Sequence, residues 1–209
     1  MDSPEPEHED ALVDHWWWRP GWTVGTRFYA WHINTFEDPV RRLATAYQQE
    51  LSTVPGLDLI PLRWLHLTMQ GVGFREDVPD VRVDELLAAA RARLAELEPV
   101  KVRFHRSVVR REAVLLPADP AEPLQTVRYA VRAAIADVFG CVPEMVDGYR
   151  PHISLAYANT AQPAAPAVVA LDRVSPAPAD LTLNTVSLIE MHRDNRMYEW
   201  RTLEAVPLG

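Results

Sequence analysis

A chain of 209 residues, 48% of them hydrophobic, is long enough to bury one sizeable core, so a single domain with at most two lobes is expected. Its formal net charge of −8 excludes a protein that coats nucleic acid through general phosphate neutralisation, while leaving room for a locally basic pocket. Cys141 is the single cysteine, which excludes an internal disulfide and a multi-cysteine zinc site. No apolar run reaches the length of a membrane span, and the N-terminus MDSPEPEHED is acidic where a signal peptide would be basic, so a cytoplasmic location is expected.

Residues 1–14 are acidic, proline-bearing and aperiodic, the signature of a disordered tail. Residues 15–26 contain HWWWRPGW, with four of the seven tryptophans at 16–22. Rings of that size need partners, so this segment is expected to lie strapped across the domain formed by 27–209. Its sharper interpretation is a lid or a base-stacking platform. RFYAWHIN at 27–34 predicts a strand, and Val40, Leu43, Tyr47 and Leu51 predict a helix over 39–54 after the Asp38-Pro39 start. A strand pair around LDLI and WLHLTMQG follows, then a helix over 83–97 that Pro99 stops. Strands are expected at 100–109 and 112–117, and a helix over 122–139 with Gly140 as its stop. A histidine-bearing strand at 150–158, a proline-rich connection with a short helix near 165–173, and a closing hairpin (181–191, 197–205) over DNRM complete an α+β order.

Two of these strands carry the same chemistry. In RWLHLTMQ, strand alternation puts His66 and Thr68 on one face and Leu65, Leu67 and Met69 on the other. In RPHISLAY it puts His152 and Ser154 opposite Ile153 and Leu155. Histidine exchanges a proton near neutrality, so a facing pair supplies both a base and an acid. The hydroxyls two residues on can donate to phosphoryl oxygens. Such a set hydrolyses a phosphodiester without a metal or other cofactor. A lone histidine on a strand is more often structural; the duplication is what carries the inference.

WLHLTM and PHISLA, with their separation and the order of strands and helices around them, resemble the two-histidine (2H) phosphoesterase superfamily, in particular its bacterial branch of 2′-5′ RNA ligase-like and RNA 2′,3′-cyclic phosphodiesterase proteins. The likeness spans roughly residues 27–205. It implies a bilobal α+β fold in which two antiparallel-rich sheets flank a central cleft, with helices outside. It also implies catalytic roles for His66, Thr68, His152 and Ser154, with His152 as base and His66 as acid in hydrolysis of a 2′,3′-cyclic phosphate or a 2′-5′ phosphodiester of RNA or a small nucleotide. Reversal of the same steps would make a 2′-5′ ligase. The expected partner is a nucleotide or RNA end, with no membrane and no stable protein partner. The alternative is a non-catalytic module that binds RNA or nucleotides in the same cleft.

By strand parity Trp64 and Gln70 fall on the His66 face, and Arg150 on the His152 face. Arg150 is a candidate phosphate ligand, Trp64 a base-stacking ring, and Gln70 and Tyr29 are further candidates for substrate contact. KVRFHRSVVRR at 101–111 offers Lys101, Arg103 and His105 on one face, an RNA track or simply a solvated sheet face. His15, His32 and His192 lack metal-ligand spacing, so no metal site is expected.

Overall fold

The structure, a computed structural model, describes residues 8–209. Residues 1–7 of the expected tail lie outside the described residues. Residues 8–14 depart from that expectation. Ala11–Leu12 (β1) pairs antiparallel with Gln162–Pro163 (β9), and the Glu9 and Val13 amides donate to the carbonyls of Val109 and Arg111. Leu12 is buried in the core. One apolar side chain and a few ladder bonds are enough to fix a segment whose composition alone speaks for disorder.

The remaining strands are Phe28–Ile33 (β2), Leu57–Leu59 (β3), Leu67–Phe74 (β4), Val100–Phe104 (β5), Val108–Arg110 (β6), Ala113–Asp119 (β7), His152–Ala158 (β8), Ala179–Leu183 (β10), Thr185–His192 (β11) and Glu199–Pro207 (β12). These ten form one curled antiparallel sheet in the order β10-β5-β7-β8-β4-β2-β11-β12, with β3 added on β8 and β6 on β7. The two sheets expected from sequence are thus two halves of one ladder. They join where Leu67 of β4 pairs with Ile153 of β8.

Among the described residues four α-helices cover the outer faces. Asp38–Leu51 (α1) carries Pro39 in its first turn and buries Val40, Leu43, Tyr47 and Leu51, the predicted stripe. Glu122–Phe139 (α3) ends at Gly140, whose φ of 75° is the left-handed stop the sequence calls for. Asp80–Leu94 (α2) packs on α3, and Ala165–Asp172 (α4) packs on α1. The chain crosses between halves: α1 follows β2 yet packs on β8 and β10, while α3 follows β7 yet packs on β4. Each half is therefore roofed by a helix delivered from the other. Among the described residues no helix is long and apolar enough to cross a membrane.

Candidate active site

The Leu67–Ile153 pair fixes the relation of the two repeated segments. In an antiparallel ladder, one step either way from that pair sets His66 across from Ser154 and Thr68 across from His152. By register, each histidine is therefore placed opposite the other segment's hydroxyl. All four side chains line a single cleft of about 540 Å³, a volume within the roughly 300–1,000 Å³ range of small-ligand sites.

Both imidazoles are oriented in the same way. His66 Nδ1 lies 2.9 Å from the Trp64 carbonyl oxygen, and His152 Nδ1 lies 2.7 Å from that of Arg150. A carbonyl only accepts, so each Nδ1 carries the proton and each Nε2 is left with a lone pair. Burial lowers the pKa of both rings. His66, only 7% exposed, falls to about 4, with a smaller lowering from the nearby His152; the bond to the Trp64 carbonyl opposes the shift. His152 is lowered by burial, opposed by its bond to the Arg150 carbonyl. The cleft thus presents two neutral bases, and a bound anion is what favours a proton on one of them.

A third imidazole lies beneath the pair. His32, on β2, stacks on His66 with ring centroids 4.5 Å apart and planes 6° from parallel, and its Nε2 is 3.3 Å from Thr68 Oγ1. It is fully buried, and burial holds it well below its ordinary pKa, neutral. Sequence spacing sets His32 aside with His15 and His192 as poor metal ligands. Strand parity in RFYAWHIN nevertheless carries the missing signal, because Phe28, Ala30 and His32 share one face and all three line the cleft.

A model of the 2′-5′ RNA ligase superfamily matches residues 36–195, well over half of the chain and both histidine segments. The chain belongs to the 2′-5′ RNA ligase superfamily. Solved structures agree on the fold. TT0787 of Thermus thermophilus superposes with a TM-score of 0.66 at 20% identity, covering 88% of this chain and 97% of its own. LigT of E. coli, complexed with 3′-AMP, gives 0.64 at 14% identity, covering 88% and 98%. A conserved protein from Agrobacterium tumefaciens, ATU0111, gives 0.56 at 18% identity, covering 85% and 84%. No curated protein matches the chain.

The N-terminal strap lies outside the stretch matched by the superfamily, yet it supplies a wall of this superfamily cleft through His15, Arg19 and Trp22. Glu112, in the turn between β6 and β7, is its anchor, accepting from His15 Nδ1 at 3.0 Å and Arg19 at 2.7 Å. With its Nδ1 proton committed to that carboxylate, His15 accepts at Nε2 from the Tyr198 hydroxyl, 3.2 Å away. Burial first, then Arg19, Arg193 and His66, drive the His15 pKa down to about 3. The second anchor is Arg193, 3% exposed, which donates to the carbonyls of His15 and Trp17 and packs against the rings of Trp16, Trp18, Trp22 and Tyr198.

Four of the expected neighbours lie away from the cleft lining. Gln70 does not enter the cleft: β4 pairs Thr68 with His32 but Gln70 with Trp31, so a bulge at Met69 breaks the alternation and turns Gln70 to the helix side. Tyr29 shares the reverse face with Trp31 and is buried there beside Glu190. Trp64 sits in a short 3₁₀ turn, Leu62–Trp64, its ring edge-on to Trp200 at 4.8 Å and outside the cleft lining. Arg150 precedes β8, and its side chain is exposed beyond the lining as well. The carbonyls of Trp64 and Arg150 are the groups that hold His66 and His152. Of the basic segment, Arg103 is paired with Asp180 on β10, whereas Arg110 and Arg111 reach the cleft. Among the described residues no three His, Cys, Asp or Glu side chains converge as a metal-binding group.

Proposed function

We propose that this chain is a metal-independent phosphoesterase that opens a 2′,3′-cyclic phosphate, or cleaves a 2′-5′ phosphodiester, of a small nucleotide or RNA end. One observation carries the proposal. Two imidazoles, each with Nδ1 tied to a backbone carbonyl two residues back and Nε2 unprotonated, border one nucleotide-sized cleft, each across the ladder from a hydroxyl. The substrate anion brings a proton onto His66 Nε2. His152 Nε2 then accepts a proton from water as its oxygen attacks phosphorus, and His66 gives its proton to the departing ribose oxygen. The Thr68 and Ser154 hydroxyls donate to the non-bridging oxygens, where charge accumulates. One P–O bond forms, one breaks, and the histidines finish with exchanged protonation that solvent resets.

The size of the cleft and the charge of −8 favour a small nucleotide or a short RNA end over a long polynucleotide. The 3′-AMP held by E. coli LigT is a ligand of that class. The test is turnover of the four nucleoside 2′,3′-cyclic phosphates and of 2′-5′-linked dinucleotides after exhaustive chelation. Activity on at least one of them, undiminished by EDTA and lost in His152→Ala, is expected. Activity that disappears with EDTA and returns with zinc or manganese contradicts the mechanism. Binding of a nucleoside 2′-monophosphate without any turnover makes the chain a binding module instead.

A further inference from the structure

At the end of the cleft near Phe28 the floor loses its side chains. Ala30 of β2 is paired with Gly71 of β4, and both face inward. Phe28 borders this slot, and Trp22 of the strap packs on Phe28 with ring centroids 5.5 Å apart. Glu144 closes it from the loop before β8. Its Oε1 stands directly over Gly71, so that a Cβ there would come within 2.5 Å of that oxygen and 3.2 Å of the Phe28 ring. The carboxylate is held by a relay. Arg132 of α3 donates to Gln70 Oε1 at 2.7 Å, and Gln70 Nε2 donates to Glu144 Oε2 at 2.9 Å. Arg132 also donates to the Glu144 carbonyl at 2.8 Å. A fully buried amide and an arginine thus fix an acceptor at the edge of an aromatic-walled slot that opens toward His32 and His66.

We propose that Trp22, Phe28 and Glu144 form a base subsite that selects guanine. This deepens the phosphoesterase reading and rests on it for where the phosphate lies. Aromatic walls hold any base, because every base offers a π face. A carboxylate offers acceptors only, so it discriminates by the donors on the base edge. Guanine alone presents two adjacent donors, N1–H and the 2-amino group, matched to the two oxygens. Adenine and cytosine present one amino group beside a ring-nitrogen acceptor, and uracil one N–H between two carbonyls that the carboxylate repels. Gln70 and Arg132 are positioning residues: they aim Glu144 and touch no substrate.

The experiment compares guanosine and uridine 2′,3′-cyclic phosphates as substrates, and guanosine and uridine 2′-monophosphates as calorimetric ligands, for the wild type, Glu144→Gln and Trp22→Ala. Hydrogen bonds to a charged group imply a guanosine preference of roughly 10- to 100-fold, carried in KM. Glu144→Gln is expected to erase that preference through the guanosine KM while uridine stays within about twofold. Trp22→Ala weakens both nucleosides alike. Equal affinity for the two monophosphates in the wild type, or a Glu144→Gln loss shared by both bases, overturns the subsite. If neither cyclic phosphate is turned over while the guanosine preference persists in the calorimeter, the proposed reaction fails and the subsite stands.

Discussion

At the scale of single residues, the protonation state of two imidazoles decides most of what the cleft can do. Turnover needs one of them protonated and one neutral. The ordinary histidine value is about 6.5, and both catalytic candidates lie below it, His66 near 4. The singly protonated free enzyme is therefore most abundant on the acid side of 6.5, and kcat/KM against pH is expected to be a bell centred there. A bound phosphate raises the imidazole pKa, so the bell for kcat belongs at higher pH. A kcat/KM optimum at or above pH 8 contradicts this assignment. His32 gives a second expectation. His32→Phe keeps a ring under His66 but removes the partner of Thr68 Oγ1. It should cost about as much as Thr68→Ala, roughly 3- to 10-fold in kcat/KM as for one neutral hydrogen bond, and the two changes together little more than either alone, measured as a double-mutant cycle.

At the scale of elements, the strap and the bulge separate what sequence discloses from what it hides. The histidine pairs were legible because strand parity acts over two residues and needs no distant partner. The α1 stripe and the Gly140 stop are local in the same sense. Strand parity misplaces Gln70 because the extra residue at Met69 leaves no mark in RWLHLTMQ, yet it turns the faces that follow until a second irregularity at Val72 restores them. The tryptophans announced a strap, but their clamp is Arg193, 178 positions from His15, and no period connects the two. Glu144 lies in a loop, where side-chain direction has no repeat to read. The clamp can be tested: Arg193→Met keeps the apolar stem and leaves the His15 and Trp17 carbonyls unpaired. A loss of about 1–3 kcal/mol in urea unfolding is expected, with a raised KM because His15, Arg19 and Trp22 no longer hold the cleft wall. An unchanged KM would show that the strap serves stability alone.

At the scale of the whole molecule, the exchanged helices bind the two halves into one cooperative body. With α1 on β8 and β10 and α3 on β4, each half loses a covering helix if the other opens. Unfolding by urea should be a single transition that coincides by tryptophan fluorescence and far-ultraviolet circular dichroism; two separated transitions would contradict it. The cleft also sets how this body responds to acid. His15, His32 and His66 are buried and His152 is half-buried, all with lowered pKa values, so between 6.5 and their folded values the unfolded chain binds more protons than the native one. Stability is expected to be full above pH 6.5 and to fall steadily as pH drops toward 4 and 3. His15→Phe should flatten that fall.

The central claim is that His66 and His152 serve one transition state. The measurement that reaches it most directly is kcat/KM for His66→Ala, His152→Ala and the double variant on a nucleoside 2′,3′-cyclic phosphate that the wild type hydrolyses. Acid–base partners typically contribute about 10²- to 10⁴-fold each, and residues acting together are grossly non-additive. Each single change is expected to cost within that range, and the double change far less than the product of the two. A single variant with near-normal kcat/KM, or losses that multiply in the double variant, would contradict the account.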